Sequence, residues 1–274
     1  MKKILSLALS FLFAFTLMPA FADEDGSLST TDTVLNQNFP ANGVKKIEVK
    51  LYAEAVTVLS SSEEALNVTV KSNYQDKNPL VALDGKTLKI SQPEKKIKYQ
   101  DRDCQVTITL PAKMKVSELD ISTASGNITF VNLPIDKVEV ETVSGTISAD
   151  YVKAAKEFSL EAGDGIVNIT GVTTKELEVE VKKGNLEIGP SEVRTFSVKC
   201  EKGTASLSLN KEFAKESSLE TSNGTINLTL PAKTVLNTKT TIGKGNFHSD
   251  FATDTNGLPL KVKLGNGNVN ITKK

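Results

Sequence analysis

Three carboxylates recur at one offset from a glycine. Glu141, Glu161 and Glu180 each stand four residues before Gly145, Gly165 and Gly184, with Glu139 and Glu178 on the same alternating parity. Stacked about 5 Å apart, such groups repel one another, so a column of them can raise a carboxyl pKa, hold a divalent cation or meet a basic partner. The plainer reading is that these long side chains splay into water beside Lys182 and Lys183. Catalysis on a polysaccharide would need the carboxylates set in a groove, so no catalytic residue is assigned. Glu141, Glu161 and Glu180 stand only as a speculative surface site.

Other chemistry-bearing residues give weaker signals. Lys199, Lys239, Lys261 and Lys263 follow the acidic column on the same face, making one end acidic and the other basic, a polarity open to head-to-tail association. A second outward set reads Thr129, Ser148, Asn168, Glu187, Ser206, Asn227, His248 and Asn270, small polar groups whose repetition could match a glycan. The set contains no aromatic platform for sugar stacking, which favours a solubilising role. His248 is the only histidine and has no Cys or carboxylate at ligand or triad spacing. No calcium-repeat, phosphate-loop, dinucleotide or nucleophile-elbow pattern occurs, so neither metal nor cofactor is expected.

The elements that carry these residues repeat. Gly126, Gly145, Gly165, Gly184, Gly203, Gly224, Gly245 and Gly267 follow one another at steps of about 19 to 22 residues, a period typical of stacked repeats. Apolar residues alternate on both sides of each glycine, as in Leu119 and Ile121 before Gly126 and Ile128 and Phe130 after it. Each unit reads as strand, glycine turn, strand and longer corner, the glycine supplying positive φ. One such pair cannot shelter its apolar face, whereas stacking closes a continuous core. The expected fold is an all-β parallel β-solenoid with rungs about 4.8 Å apart. An antiparallel sandwich of hairpins is the alternative, but the constant offset of inward residues from glycine argues against it.

Toward the amino terminus the pattern loosens. Ile47, Val49, Leu51, Val56 and Val58 keep the later offsets with Glu54 in the glycine slot, and Leu66, Val68 and Val70 form a further strand. Residues 81 to 90 read as a hairpin on Asp84-Gly85 with Val81 opposite Leu88. DCQVTITLPAK at 103 to 113 echoes NGTINLTLPAK at 223 to 233, placing Cys104 in the glycine slot and equating Pro111 with Pro231. Lys273 and Lys274 would discourage pairing at the far edge. By this alignment Cys104 lies five rungs from Cys200, roughly 24 Å against a limit of ~7 Å for a disulfide, so both thiols are expected free.

Lys2, Lys3, the apolar run from Ile4 to Met18 and Ala20-Phe21-Ala22 form a signal peptide, with cleavage expected before Asp23. The expected organisation is a signal peptide at 1–22, a polar leader at 23–43 and a solenoid domain at 44–274. Within that domain 44–96 are irregular rungs and 97–274 regular ones. The 33 basic and 33 acidic residues balance, which argues against a nucleic-acid partner. No stretch after the signal is long and apolar enough to span a bilayer.

The SGNI, SGTI and NGTI turns, with V-T-I-T-L-P ahead of them, resemble the bacterial putative-adhesin family of β-strand-repeat domains and the related autotransporter adhesin heads. The likeness runs from about Val44 to Ile271. It implies an exported β-solenoid without an assigned active site. Where the family often carries Asp after Ser-Gly, this chain has Asn127 and Thr146, which weakens any transfer of ion binding. The expectation is a non-enzymatic periplasmic or cell-surface protein that presents a rigid surface to a glycan, protein or envelope ligand, self-association being a further option. A structural or stress-related envelope protein is the alternative, and a polysaccharide-acting enzyme a weaker third.

Overall fold

The computed structural model describes residues 27–74, 78–92 and 103–274. The signal peptide and cleavage site at 1–22, and the start of regular rungs near residue 97, lie outside the described residues. Within them the chain is all-β, with sixteen strands and no α-helix.

The repeat unit is visible in β8 (Val116–Thr123) and β9 (Ile128–Val131), which flank Gly126. Next comes β10 (Pro134–Leu209), where the backbone keeps strand pairing through its corners and so reads as one 76-residue element carrying Gly145, Gly165, Gly184 and Gly203. β10 lies parallel on both earlier strands, with Val138 opposite Leu119 and Ile147 opposite Ile128. On its far side it meets β11 (Ser217–Thr221) and β12 (Thr225–Leu230), again in parallel, with Val198 opposite Leu219 and Leu207 opposite Leu228. Equivalent residues of successive units therefore face each other. The strict period of 2 puts every second side chain inside, and the alternating residues around each glycine are buried to 3% exposure or less from Leu119 to Ile188 and again at Val269 and Ile271. The parallel pairing of 116–150 and of 197–273 with their neighbouring strands does not fit a sandwich of hairpins.

The glycines stack directly. A Cβ placed on any of the eight would come within 1.9 to 2.9 Å of a backbone carbonyl oxygen one rung away: Glu54 for Gly126, and another of the eight glycines for each of the rest. Only Gly145, Gly184 and Gly203 have positive φ. Space, more than backbone conformation, is the common requirement. This corrects the expectation that the turn selects glycine for its φ.

The ends differ from the simple order. β2 (Lys46–Leu51) and β3 (Ala55–Ser61) form the first unit in the chain, yet they lie directly on β8 and β9. Outside them sit β6 (Thr87–Ser91) on β2 and β7 (Cys104–Pro111) on β3. The opposite end repeats the exchange. β13 (Leu236–Ile242) and β14 (Asn246–Ser249) form the outermost rung, while β15 (Leu258–Leu264) and β16 (Asn268–Lys273) slot between them and β11 and β12. In both exchanges the chain steps over one rung after the repeated LPAK motif, over β2 and β3 at the first and over the place later filled by β15 and β16 at the second. Each motif closes an equivalent tight turn, Met114 N–H donating to the Pro111 carbonyl at 2.9 Å and Thr234 N–H to that of Pro231 at 3.0 Å.

The first end is finished by antiparallel strands. β4 (Leu66–Tyr74) pairs with β7, and β1 (Ser27–Phe39) pairs with β4, so residues 27–39 are a strand and not the loose leader expected at 23–43. β5 (Leu80–Asp84) forms the hairpin with β6, but Asp84 opposite Thr87 makes Gly85-Lys86 the turn, so Val81 faces Ile90 and Leu83 faces Leu88. The expected pairing of Val81 with Leu88 is thus displaced. Gly85, at φ 58°, takes the left-handed position. At the other end Lys273 and Lys274 are not on the edge: Lys273 Nζ lies 5.2 Å from the Phe251 ring centroid and Lys274 Nζ donates to Asn210 Oδ1.

Two outcomes follow. Gly184→Ala, which meets the Gly165 carbonyl, lowers stability by about 3 kcal/mol or more in urea unfolding, whereas Gly85→Ala, with open space around it, costs about 1–2 kcal/mol; equal effects would contradict the stacking argument. Deleting 258–274 removes the rung on which β13 and β14 rest, so amide exchange at 236–249 becomes fast although those residues are retained.

Candidate functional site

Strand alternation turns the acidic column outward. Glu141 and Glu161 are exposed and Glu180 is half-buried. Lysines interleave with them: Lys182 Nζ donates to Glu161 Oε1 at 2.7 Å, and Lys199 Nζ to Glu180 Oε1 at 2.6 Å while lying 3.3 Å from Glu201. Lys137 likewise sits 2.7 Å from Glu139 and 3.5 Å from Glu157. The hydrogen bonds to Glu161 and Glu180 raise the pKa of Lys182 and Lys199, keeping both ammonium groups charged. Glu141 alone of the three column residues has no ion pair among the described residues. The arrangement is a charge-compensated surface, and pairs this exposed add little stability. Among the described residues no three His, Cys, Asp or Glu side chains group as a metal site.

The later lysines are compensated in the same way. Lys261 meets Glu216 at 2.6 Å and Lys263 meets Glu220 at 2.7 Å, one rung apart. Lys239 is exposed on the outermost rung. The polar column is better ordered: Asn227 Nδ2 donates to Ser206 Oγ at 3.4 Å and Asn270 Nδ2 to Asn227 Oδ1 at 3.0 Å. His248, beside Asn270 in the exchanged rung order, has Nε2 3.3 Å from Asp250 Oδ1.

Both cysteines are buried, and neither forms a disulfide. Cys104 is one rung further from Cys200 than the sequence alignment implies, because β2 and β3 interpose. Cys200 packs in the inward column against Thr221, and its Sγ donates weakly to the Lys202 carbonyl at 3.7 Å. Burial pushes its thiol pKa up, so the thiolate is disfavoured.

A concave site lies elsewhere, along the corner that precedes each rung. There a cleft of about 880 Å³ opens beside the first LPAK turn, with Lys45, Lys113, Lys115 and Lys153 around it. Ala112, Pro134 and Ala155 expose small apolar surfaces to it, above buried Met114 and Ile135. Asp136, its one carboxylate, is 3.0 Å from Lys156, whereas the four lysines form no ion pair among the described residues. A second cleft of about 300 Å³ shares Ala155 and Thr173 with the first and continues past Lys175, Arg194 and Glu212 to Lys211, which pairs with Glu192 at 2.8 Å. Sequence periodicity misses this site, since corner residues do not alternate; the doubled LPAK motif was the available signal.

Stacked parallel strand pairs in an all-β chain, with polar residues ordered along the outward columns, define a class of repeat-built β proteins. The chain belongs to the Toastrack DUF4097 family, whose pattern matches residues 44–272. No curated protein matches it. A putative adhesin of Bacteroides fragilis has a similar structure at a TM-score of 0.54 and 11% identity, over 88% of this chain and 96% of that one. A putative lipid-binding protein of Parabacteroides distasonis gives 0.47 at 15% identity, covering 86% and 96%. At these identities the first likeness concerns the fold. No helix of the described residues is long and apolar enough to cross a membrane.

For the thiols, the expected outcome is that neither reacts with a thiol reagent at pH 8 in the folded protein and both react in denaturant. The raised thiol pKa of Cys200 gives stability that is full below the unfolded thiol value, about 8.5, and declines as pH rises through the folded value. A Cys200→Ala variant removes that alkaline decline, read by urea titrations across pH 8 to 11.

Proposed function

We propose that this protein is an exported, non-enzymatic β-solenoid whose rungs of about 19–22 residues present a rigid surface for binding or adhesion. Its ligand is a component of the envelope, a host surface or a polymer. The observation that carries the reading is the outward lattice: Ser206, Asn227 and Asn270 stand on adjacent rungs with side chains hydrogen-bonded to one another. Donors and acceptors fixed at rung spacing lose little entropy when a ligand arrives, which is the physical advantage of a preorganised surface. The signal sequence supports delivery to the periplasm or cell surface after cleavage near Ala22. The resemblance to adhesin-named proteins points the same way. A structural envelope role is the second reading, favoured by β13 and β14, each of which pairs along only one edge among the described strands.

The test is a binding screen of the mature chain, residues 23–274, against glycans, envelope polymers and matrix proteins, with and without calcium. Saturable binding by folded protein is the expected result, and Glu161→Gln with Glu180→Gln leaves it unchanged because both carboxylates are already paired with lysines. Silence from folded, β-rich protein across the whole screen overturns the binding reading in favour of the structural one.

A further inference from the structure

We infer that the corner groove beginning at the first LPAK turn is a binding site for a linear acidic polysaccharide. This rests on the binding reading above and assigns it a place and a ligand class. Four observations carry it. First, the charge in the larger cleft is uncompensated: Lys182, Lys199, Lys261 and Lys263 on the flat faces each meet a carboxylate, whereas Lys45, Lys113, Lys115 and Lys153 gather with no ion pair among the described residues, the one carboxylate there, Asp136, being held by Lys156. Cations held together in a concave site without counter-charges favour an anionic ligand.

Second, the site is long. The two clefts join at Ala155 and Thr173 and run over six successive corners, from 113–117 to 211–212. At about 4.8 Å per rung this is roughly 24 Å, the reach of several sugar units and far more than a single phosphate needs. Third, although the far cleft also carries Glu212 and Glu192, the latter paired with Lys211 at 2.8 Å, cations recur along that length, with Lys153, Lys175 and Arg194 each contributed by a later corner. A chain bearing one negative charge per unit meets them in sequence.

Fourth, the lining between the charges suits sugars better than bases. Ala112, Pro134 and Ala155 offer shallow apolar patches for the CH faces of a ring, and Ser117 and Thr173 offer hydroxyls. No aromatic side chain lines either cleft, so a single-stranded nucleic acid would find no stacking platform. The fold explains why the site lies here: stepping over a rung forces 111–116 to span two rung spacings, and the corners beyond it leave the concavity open.

The experiment measures binding of the folded chain to polygalacturonate, with dextran, polyphosphate and single-stranded DNA as comparators, at low and raised salt. The expected result is saturable binding to polygalacturonate, none to dextran, and weakening with salt. Lys113→Glu, Lys115→Glu and Lys153→Glu together weaken it about tenfold or more, while Lys239→Glu with Lys244→Glu at the far end does not, circular dichroism being unchanged in both. Because charge reversal can disturb folding, the milder Lys113→Gln with Lys115→Gln is measured as well and weakens binding in the same direction. Unchanged affinity in folded groove variants overturns the site. Tighter binding of polyphosphate or DNA overturns the ligand class. Silence toward polygalacturonate alongside a hit elsewhere in the wider screen overturns this inference and leaves the general binding reading standing.

Discussion

The structure depends on the close approach of backbones in the glycine column. Each turn lies so near the next that a single added carbon would meet a carbonyl oxygen at well under van der Waals distance. That contact fixes the spacing of the turns, and the spacing lets both strands of a unit pair in register with the unit beside it. Buried apolar residues such as Phe130, Phe158 and Phe196 then fill an interior of constant width. Glu54 shows what the column needs when glycine is absent. Its Oε2 folds back to accept the N–H groups of Tyr52 and Ala53, so a turn without glycine satisfies its own donors and offers its carbonyl to Gly126.

Much of this was legible in the sequence, for a definite reason. Period 2 is an exact property of strands, so Leu119, Ile121, Ile128 and Phe130 could be placed inside from spacing alone, and their burial agrees. The slot held by Glu54 was also readable, because its flanking residues keep the offsets of the glycine units. The reason for glycine was not readable. A turn glycine and a stacked glycine look alike in sequence, and only the contacts at Gly165 or Gly267, neither with positive φ, separate them.

Rung order was hidden because it leaves no mark on length. The step from Gly224 to Gly245 resembles the others although the chain crosses a rung there, and the step from Gly245 to Gly267 brings it back inside. Pro111 and Pro231, seen in sequence as equivalent strand ends, are the trace of that crossing. The candidate sites divide similarly. Glu141, Glu161 and Glu180 share one offset from their glycines, but what neutralises two of them was not readable there: Lys199 keeps that offset one unit on, whereas Lys182 stands at another. Lys45, Lys113 and Lys153 meet only through corners, whose residues follow no period.

The interleaved ends also bear on how such a protein can change in length. A new unit joined to the carboxyl terminus would follow the inner rung of β15 and β16, not the outer surface, and would find both neighbouring positions filled. One joined ahead of β2 faces the same obstruction from β6 and β7. Only in β10, where chain order and spatial order coincide, can a unit be duplicated or lost without breaking the pairing around it. Size variation in proteins built this way is thereby channelled into the middle, and the two interleaved ends behave as fixed fittings between which the stack is extended.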